Sequence, residues 1–194
     1  MCDAAIEVLA DDGGRGLTHR KVEQRAGLPD GTTSSYFPTR SALLRGAAER
    51  VTELDAAELA AAAHDTSDSD GPASPLSMLA ELTMRAATGP ALSRARARYE
   101  LALHAKRDPA LQKVLDQATG EFVALSQEAV AHAQADRSLD QALIEEQAYA
   151  VTTFLNGVMV RLAFGNDALE SADQLHHLLD ALVTGIAAAR QERQ

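Results

Sequence analysis

Gly27, Gly31 and Pro38 all fall between Thr18 and Arg40, and these three breakers leave room for little but two short helices joined by a tight turn. Thr18 suits the N-cap of a helix over about 18–26, and Gly27 suits its left-handed terminus. Pro29 suits a first helical position, so a second short helix is expected from there to about Phe37, where Pro38 stops it. Val22, Ala26, Leu28 and Phe37 are spaced to pack the pair together. The exposed face of the second helix is then expected to carry Thr32, Thr33, Ser35 and Tyr36. Small hydroxyl side chains let a helix lie deep in a major groove and hydrogen-bond base edges or phosphates. That is the docking logic of a helix-turn-helix.

The rest of the chain reads as helix. Alanine and leucine dominate, apolar residues recur at three and four spacings, and no alternating run is bounded by hairpin turns. Ala5, Ile6, Leu9 and Ala10 share a face over residues 3–11, and Gly13, Gly14 and Gly16 end that helix. Thr39 can cap a long fourth helix whose stripe of Leu43, Leu44, Ala47, Ala48, Val51 and Leu54 runs on to about Ala63. The stretch 65–75 is acidic and rich in turn residues, which marks a linker. Further helices are expected near 76–88, 91–107, 109–135, 139–164 and 172–191. The fold class is therefore all-α, with about nine helices. The last two helices carry apolar stripes wider than one neighbour needs, which suits an interface between two copies of the chain.

Composition narrows the setting. No apolar run approaches the ~18 residues of a membrane span, no secretory signal opens the chain, and the single cysteine, Cys2, excludes an internal disulfide framework. A reducing, cytoplasmic compartment is the expectation. The net charge of −10 argues at first against nucleic acid, but its distribution does not. Residues 15–50 carry seven basic and three acidic side chains, whereas residues 53–194 carry 11 basic and 21 acidic ones. A basic segment beside an acidic body is the asymmetry of a chain that presents one end to DNA.

Residues about 3–54 resemble the DNA-binding domain of the TetR (tetracycline-repressor-like) family of bacterial transcriptional regulators. The resemblance lies in Asp3-Ala4-Ala5, Leu17-Thr18, Val22, Ala26-Gly27-Leu28, Gly31-Thr32, Tyr36-Phe37-Pro38, Arg40 and Ala42-Leu43-Leu44. It implies an Ω-like homodimer, a ligand cavity in each C-terminal domain and a pseudo-palindromic operator. It also implies roles for individual residues. Thr18 and Arg20 meet phosphates or bases, and Gly31 lets the helix backbone come close to DNA. Thr32, Thr33, Ser34 and Ser35 occupy recognition-helix contact positions, Tyr36 gives its hydroxyl to a phosphate, and Arg40 holds another phosphate. Asp30 stands where a lysine or arginine is common, and Ser34 where an aromatic is common. The sequence begins almost at the first helix, so the family's basic N-terminal arm is not part of it. The implied division is a DNA-binding domain over 1–52 and a ligand-binding and dimerisation domain over 53–194. The implied mechanism is repression released by a small molecule that biases the fourth helix.

Within the second part, Met78, Tyr99, His104, Phe122, Tyr149, Phe154, Asn156 and Met159 are candidate pocket residues. Tyr99, His104, Tyr149 and Asn156 are polar groups in mostly apolar stretches, as an orienting set for a ligand would be. Arg94, Arg96 and Arg98 are spread around their helix, and a solvated face is expected for them. Glu100 with His104, and Asp173 with His177 and Asp180, have helical spacing, but nothing else converges on them, so surface pairing is expected and no metal or cofactor. No phosphate-cradling glycine loop, nucleophile elbow or zinc-protease motif is present, which argues against an enzyme. The expected partners are double-stranded DNA with an inverted repeat, a small-molecule effector, and a second copy of the chain through its last two helices. Asp30 and the absent arm motivate one alternative, a small-molecule binding or interaction module whose head no longer reads DNA.

Overall fold

A computed structural model describes residues 1–67, 74–133, 140–165 and 169–192. Among them the chain forms nine helices and no strand: α1 (Cys2–Gly16), α2 (His19–Ala26), α3 (Thr32–Tyr36), α4 (Arg40–Ser67), α5 (Pro75–Arg85), α6 (Gly89–Ala105), α7 (Pro109–Ala133), α8 (Gln141–Ala163) and α9 (Ala172–Gln191). The all-helical expectation holds. Most of the expected 65–75 linker lies outside the described residues. No helix among them is long and apolar enough to cross a membrane.

The helices pack into two units. The first comprises Met1–Glu58 and Gly89–Thr119, and the second Leu59–Thr88 and Gly120–Gln194. In the first, Ala5 and Leu9 of α1, Val22 of α2 and Leu43, Ala47 and Val51 of α4 share one core with Ala97 and Leu101 of α6 and Leu111 of α7. The expected boundaries of 1–52 and 53–194 follow the roles that the resemblance implies; packing groups α6 and the first turns of α7 with α1–α3 and α4 as far as Glu58. In the second unit, α5 lies against α9 and α9 against α8, around Leu76, Leu79, Val151, Leu155, Leu175 and Leu179.

Local chemistry sets the ends of the helices that matter most. Thr18 caps α2, its Oγ1 accepting the Lys21 N–H at 3.2 Å. Gly27 ends α2 at φ 65°, a left-handed conformation that a side chain would strain. Thr39 Oγ1 accepts the Ala42 N–H at 3.1 Å and opens α4. Asp108 opens α7, its carboxylate accepting the N–H groups of Ala110 and Leu111, each at 3.1 Å. The expected break at Gly13 is a kink at φ 68°, after which α1 continues for another turn.

Candidate nucleic-acid interface

The candidate surface is built by α2, the turn after it and α3. The Glu23 carbonyl accepts the Leu28 N–H at 2.9 Å, closing the turn that Gly27 permits. Gly31 then adopts φ 86° as the N-cap of α3, with no side chain to contribute to the cap. The far end of α3 is tied back to α2: His19 Nε2 donates to the Phe37 carbonyl at 2.6 Å. The Phe37 ring lies against Gly46 of α4, so close that a Cβ added there would sit 2.9 Å from its Cζ and nearer still to Cε1.

Of the expected contact residues, Arg20, Gly31, Ser34, Ser35, Tyr36 and Arg40 are exposed, as is Thr18, and Thr32 is half-buried. Tyr36 is 69% exposed, so its ring is not part of the small core and its whole face is open to a partner. Ser34 and Ser35 each donate their hydroxyl proton to the Gly31 carbonyl, at 2.9 and 3.0 Å, and Thr32 donates to the Pro29 carbonyl at 2.7 Å. Oriented this way, the serine oxygens offer lone pairs outward.

Thr33 is a correction. It was expected on the exposed face, but it is fully buried and its side chain reaches no surface. A helix of five residues has one inward position per turn, and Thr33 fills it between neighbours that point outward. Its N–H donates to Glu23 Oε1 at 2.8 Å, and its Oγ1 has no hydrogen-bond partner among the described residues.

The local positive charge also differs from the count in the sequence. Lys21 pairs with Asp12 at 2.8 Å, and this ammonium holds the Asp12 carboxyl below its usual range. Arg25 pairs with Asp11 and Glu7, at 2.9 and 3.2 Å. Arg50 pairs with Asp3 and Glu53, both at 2.7 Å. The acidic residues of α1 thus neutralise much of the basic segment. Arg15 and Arg20 are exposed and make no ion pair among the described residues. Arg40 donates to the Gly14 carbonyl and is otherwise exposed.

Gly14 is a crossing point. Its carbonyl accepts from Arg40, and its N–H donates to Glu100 Oε2 of α6 at 2.6 Å. His104 Cδ2 would lie 2.7 Å from a Cβ on Gly14, so the imidazole occupies the space that glycine leaves. Glu100 and His104, expected as a surface pair, instead seat α6 on α1. Arg94 and Arg98 correct a second expectation. Arg94 bonds Asp55 at 3.2 Å and also Glu58, and Arg98 bonds Asp55, so these two join α6 to α4 rather than form a solvated face. Ser41 of α4 donates to Asp108, a bond that holds that carboxyl below its usual range. No pattern in the sequence announced Glu23, Gly14 or the Asp55–Arg94 pair, because each needs a partner that only the tertiary fold supplies.

The pocket candidates divide between the units. Tyr99 and His104 belong to the first, where burial pushes the Tyr99 hydroxyl up. Met78, Phe122, Phe154 and Met159 are partly buried in the second unit, the last three against its core. Tyr149, 76% exposed, and Asn156 share an open cleft of about 470 Å³ between α7 and α8, with Gln127, Glu145 and Thr152.

Residues 70–189 match the model of a family described as the tetracyclin repressor-like C-terminal domain. No curated protein matches the chain. Solved structures do. The multidrug binding protein EbrR, complexed with imidazole, is 28% identical, with 93% of this chain and 91% of that one covered and a TM-score of 0.62. A TetR-family member from Streptomyces coelicolor A3 is 27% identical over 93% and 94% of the two chains, with a TM-score of 0.69. A putative transcriptional regulator from Pseudomonas aeruginosa PAO1, 21% identical over 99% and 90%, has a TM-score of 0.74 and shows the likeness of fold alone.

Proposed function

The chain belongs to the tetracyclin-repressor-like family of transcriptional regulators, and on that premise we propose that it is a cytoplasmic repressor that reads a pseudo-palindromic operator through residues 1–52 and is released by a small molecule. The observation that carries this reading is the surface of α3. Ser34, Ser35 and the open ring of Tyr36 project from a helix held at both ends, with exposed Arg20 following the α2 cap and exposed Arg40 opening α4. Arg20 and Arg40 supply phosphate contacts, which position the head without reading sequence. Ser34 and Ser35, their protons committed to Gly31, present acceptors suited to the amino groups of adenine and cytosine in a major groove. Thr33 plays no part in base contact.

Two heads are required to read two half-sites about one DNA turn apart, ~34–36 Å. The homodimer is assigned to α8 and α9, whose outward positions include Val160 and Leu178, 37% and 42% exposed, beside Gly157, Ala181 and Gly185. The effector is assigned to the second unit. Its α7–α8 cleft has the size of small-molecule sites and combines an aromatic ring with Gln127, Glu145 and Asn156. EbrR is a multidrug binding protein solved with imidazole and with ethidium, which makes small organic molecules the class to screen first. Helix α4 contributes residues to both units, so an effector that favours one position of its C-terminal half has a covalent path to the head.

The test is a gel shift on DNA from upstream of the protein's own gene, followed by small-molecule competition. A discrete complex on one fragment, dissolved by a compound that leaves a non-cognate complex untouched, supports the reading. Loss of every complex at physiological salt refutes it.

A further inference from the structure

Helix α3 is too short to sustain itself. Five residues lie far below the length at which an isolated helix is marginal in water, and the first four N–H groups of any helix lack partners within it. The usual remedy is a side-chain cap, and Gly31 at the N-cap has none. The Thr32 N–H finds the Pro29 carbonyl at 3.2 Å. The Thr33 N–H, on a fully buried residue, has no local acceptor and is met from α2 by Glu23 Oε1 at 2.8 Å. Glu23 is itself only 3% exposed. Burying a carboxylate is costly unless its oxygens are hydrogen-bonded, and the Thr33 N–H supplies such a bond. Glu23 acts on the turn twice, because its backbone carbonyl also accepts the Leu28 N–H at 2.9 Å.

We propose that Glu23 is a positioning residue for DNA readout: its buried carboxylate supplies from α2 the cap that α3 lacks, and so fixes the height and rotation at which Ser34 and Ser35 are presented. The proposal rests on the DNA-reading function above. It assigns to Glu23 no contact with DNA. Its loss therefore acts on discrimination between sequences and not on the phosphate contacts of Arg20 and Arg40. The requirement is for an acceptor at the right reach, not for charge as such.

The experiment uses the full chain. Wild type first selects a duplex from a randomised 30-base-pair pool. Affinities for that duplex and for a scrambled duplex of the same composition are then measured for Glu23→Gln, Glu23→Asp and Glu23→Leu. Hydrogen exchange is followed at the Thr33 amide without DNA. Glu23→Gln keeps an oxygen at the same reach and is expected to hold the ratio of selected to scrambled affinity within about threefold. Glu23→Leu is expected to lower that ratio roughly tenfold or more, with scrambled affinity changed less than about twofold, and to speed Thr33 exchange. Glu23→Asp is one methylene shorter and alters the buried volume least; it is expected to fall between the two, and it carries the test if Glu23→Leu does not fold. The proposal is overturned if Glu23→Asp, together with Glu23→Leu where that variant folds, keeps the wild-type ratio, or if Glu23→Gln loses as much as they do. A wild-type chain that selects no duplex overturns the DNA-reading function, and with it the readout role of Glu23. The exchange measurement then still decides whether Glu23 caps α3: unchanged Thr33 exchange in Glu23→Leu overturns the cap.

Discussion

Two mid-helix glycines allow the same substitution to be made in opposite surroundings. Gly46 in α4 is buried against the Phe37 ring; Gly120 in α7 is exposed, and a Cβ there meets nothing within 4 Å. Glycine to alanine inside a helix gains about 0.8–1 kcal/mol, because the unfolded chain has less freedom to lose. Gly120→Ala is expected to realise that gain in full. At Gly46 the new methyl lies 2.9 Å from Phe37 Cζ and closer to Cε1, so the ring must move. Overpacking of this kind costs about 1–3 kcal/mol, which offsets the gain and leaves Gly46→Ala between neutral and about 2 kcal/mol less stable. For a chain of this size 1 kcal/mol moves the melting temperature by about 2–4 °C. Calorimetry on the full chain should then show Gly120→Ala raised by about 2–4 °C and Gly46→Ala unchanged or lowered by up to ~8 °C. Because Phe37 ends α3 and its carbonyl holds His19, the displacement reaches the reading head, and Gly46→Ala should also weaken operator binding. Equal gains at the two sites would refute the argument that α4 and Phe37 are in close contact.

Three further outcomes follow from the same geometry. Thr33→Val removes an unpartnered buried hydroxyl at nearly constant volume and should stabilise the chain by about 1–2 kcal/mol in a denaturant titration, with sequence preference unchanged; a loss of stability contradicts the placement of Oγ1. Tyr36→Phe removes an exposed hydroxyl and should weaken binding to cognate and scrambled duplexes by a similar factor, measured by anisotropy, whereas a loss confined to the cognate duplex would make Tyr36 a base reader. Asp108, held below its usual range by Ser41 and two backbone N–H groups, contributes stability that is present above about pH 4 and lost as pH falls through its lowered value. Melting temperature between about pH 5 and pH 2.5 should therefore fall less steeply for Asp108→Asn than for wild type, and parallel curves would contradict the assignment.

What the sequence reveals is local. Thr18, Gly27 and Thr39 mark helix ends by chemistry that acts within four residues, and the structure places caps and a left-handed terminus at these positions. Apolar spacing locates α5–α9 to within a few residues for the same reason. Side-chain direction on α3 is less legible: the period of so short a helix does not distinguish Thr33 from Thr32, and burial of a hydroxyl runs against its usual preference. Counting charge along residues 15–50 misses α1, whose Asp3, Glu7, Asp11 and Asp12 lie outside the counted window yet pair with the cations inside it. Grouping α6 with the ligand domain follows from chain order, but Leu101 and Glu100 tie α6 to α1 through a core and a hydrogen bond that no spacing rule contains. Tyr99 and Tyr149 are alike in sequence context, and the fold places one half-buried in the first unit and the other on an open cleft of the second.

The most direct measurement is fluorescence anisotropy of the purified chain on DNA from upstream of its own gene, across a salt series. With Arg15, Arg20 and Arg40 as exposed cations of each of two heads that make no ion pair among the described residues, four to six phosphate contacts correspond to a slope of log affinity on log salt of about −4 to −5. The account expects nanomolar binding to one fragment, two chains per inverted repeat and a slope in that range. Equal, weak binding to every fragment, with no preferred site at any salt concentration, contradicts it and leaves a binding module whose head does not read DNA.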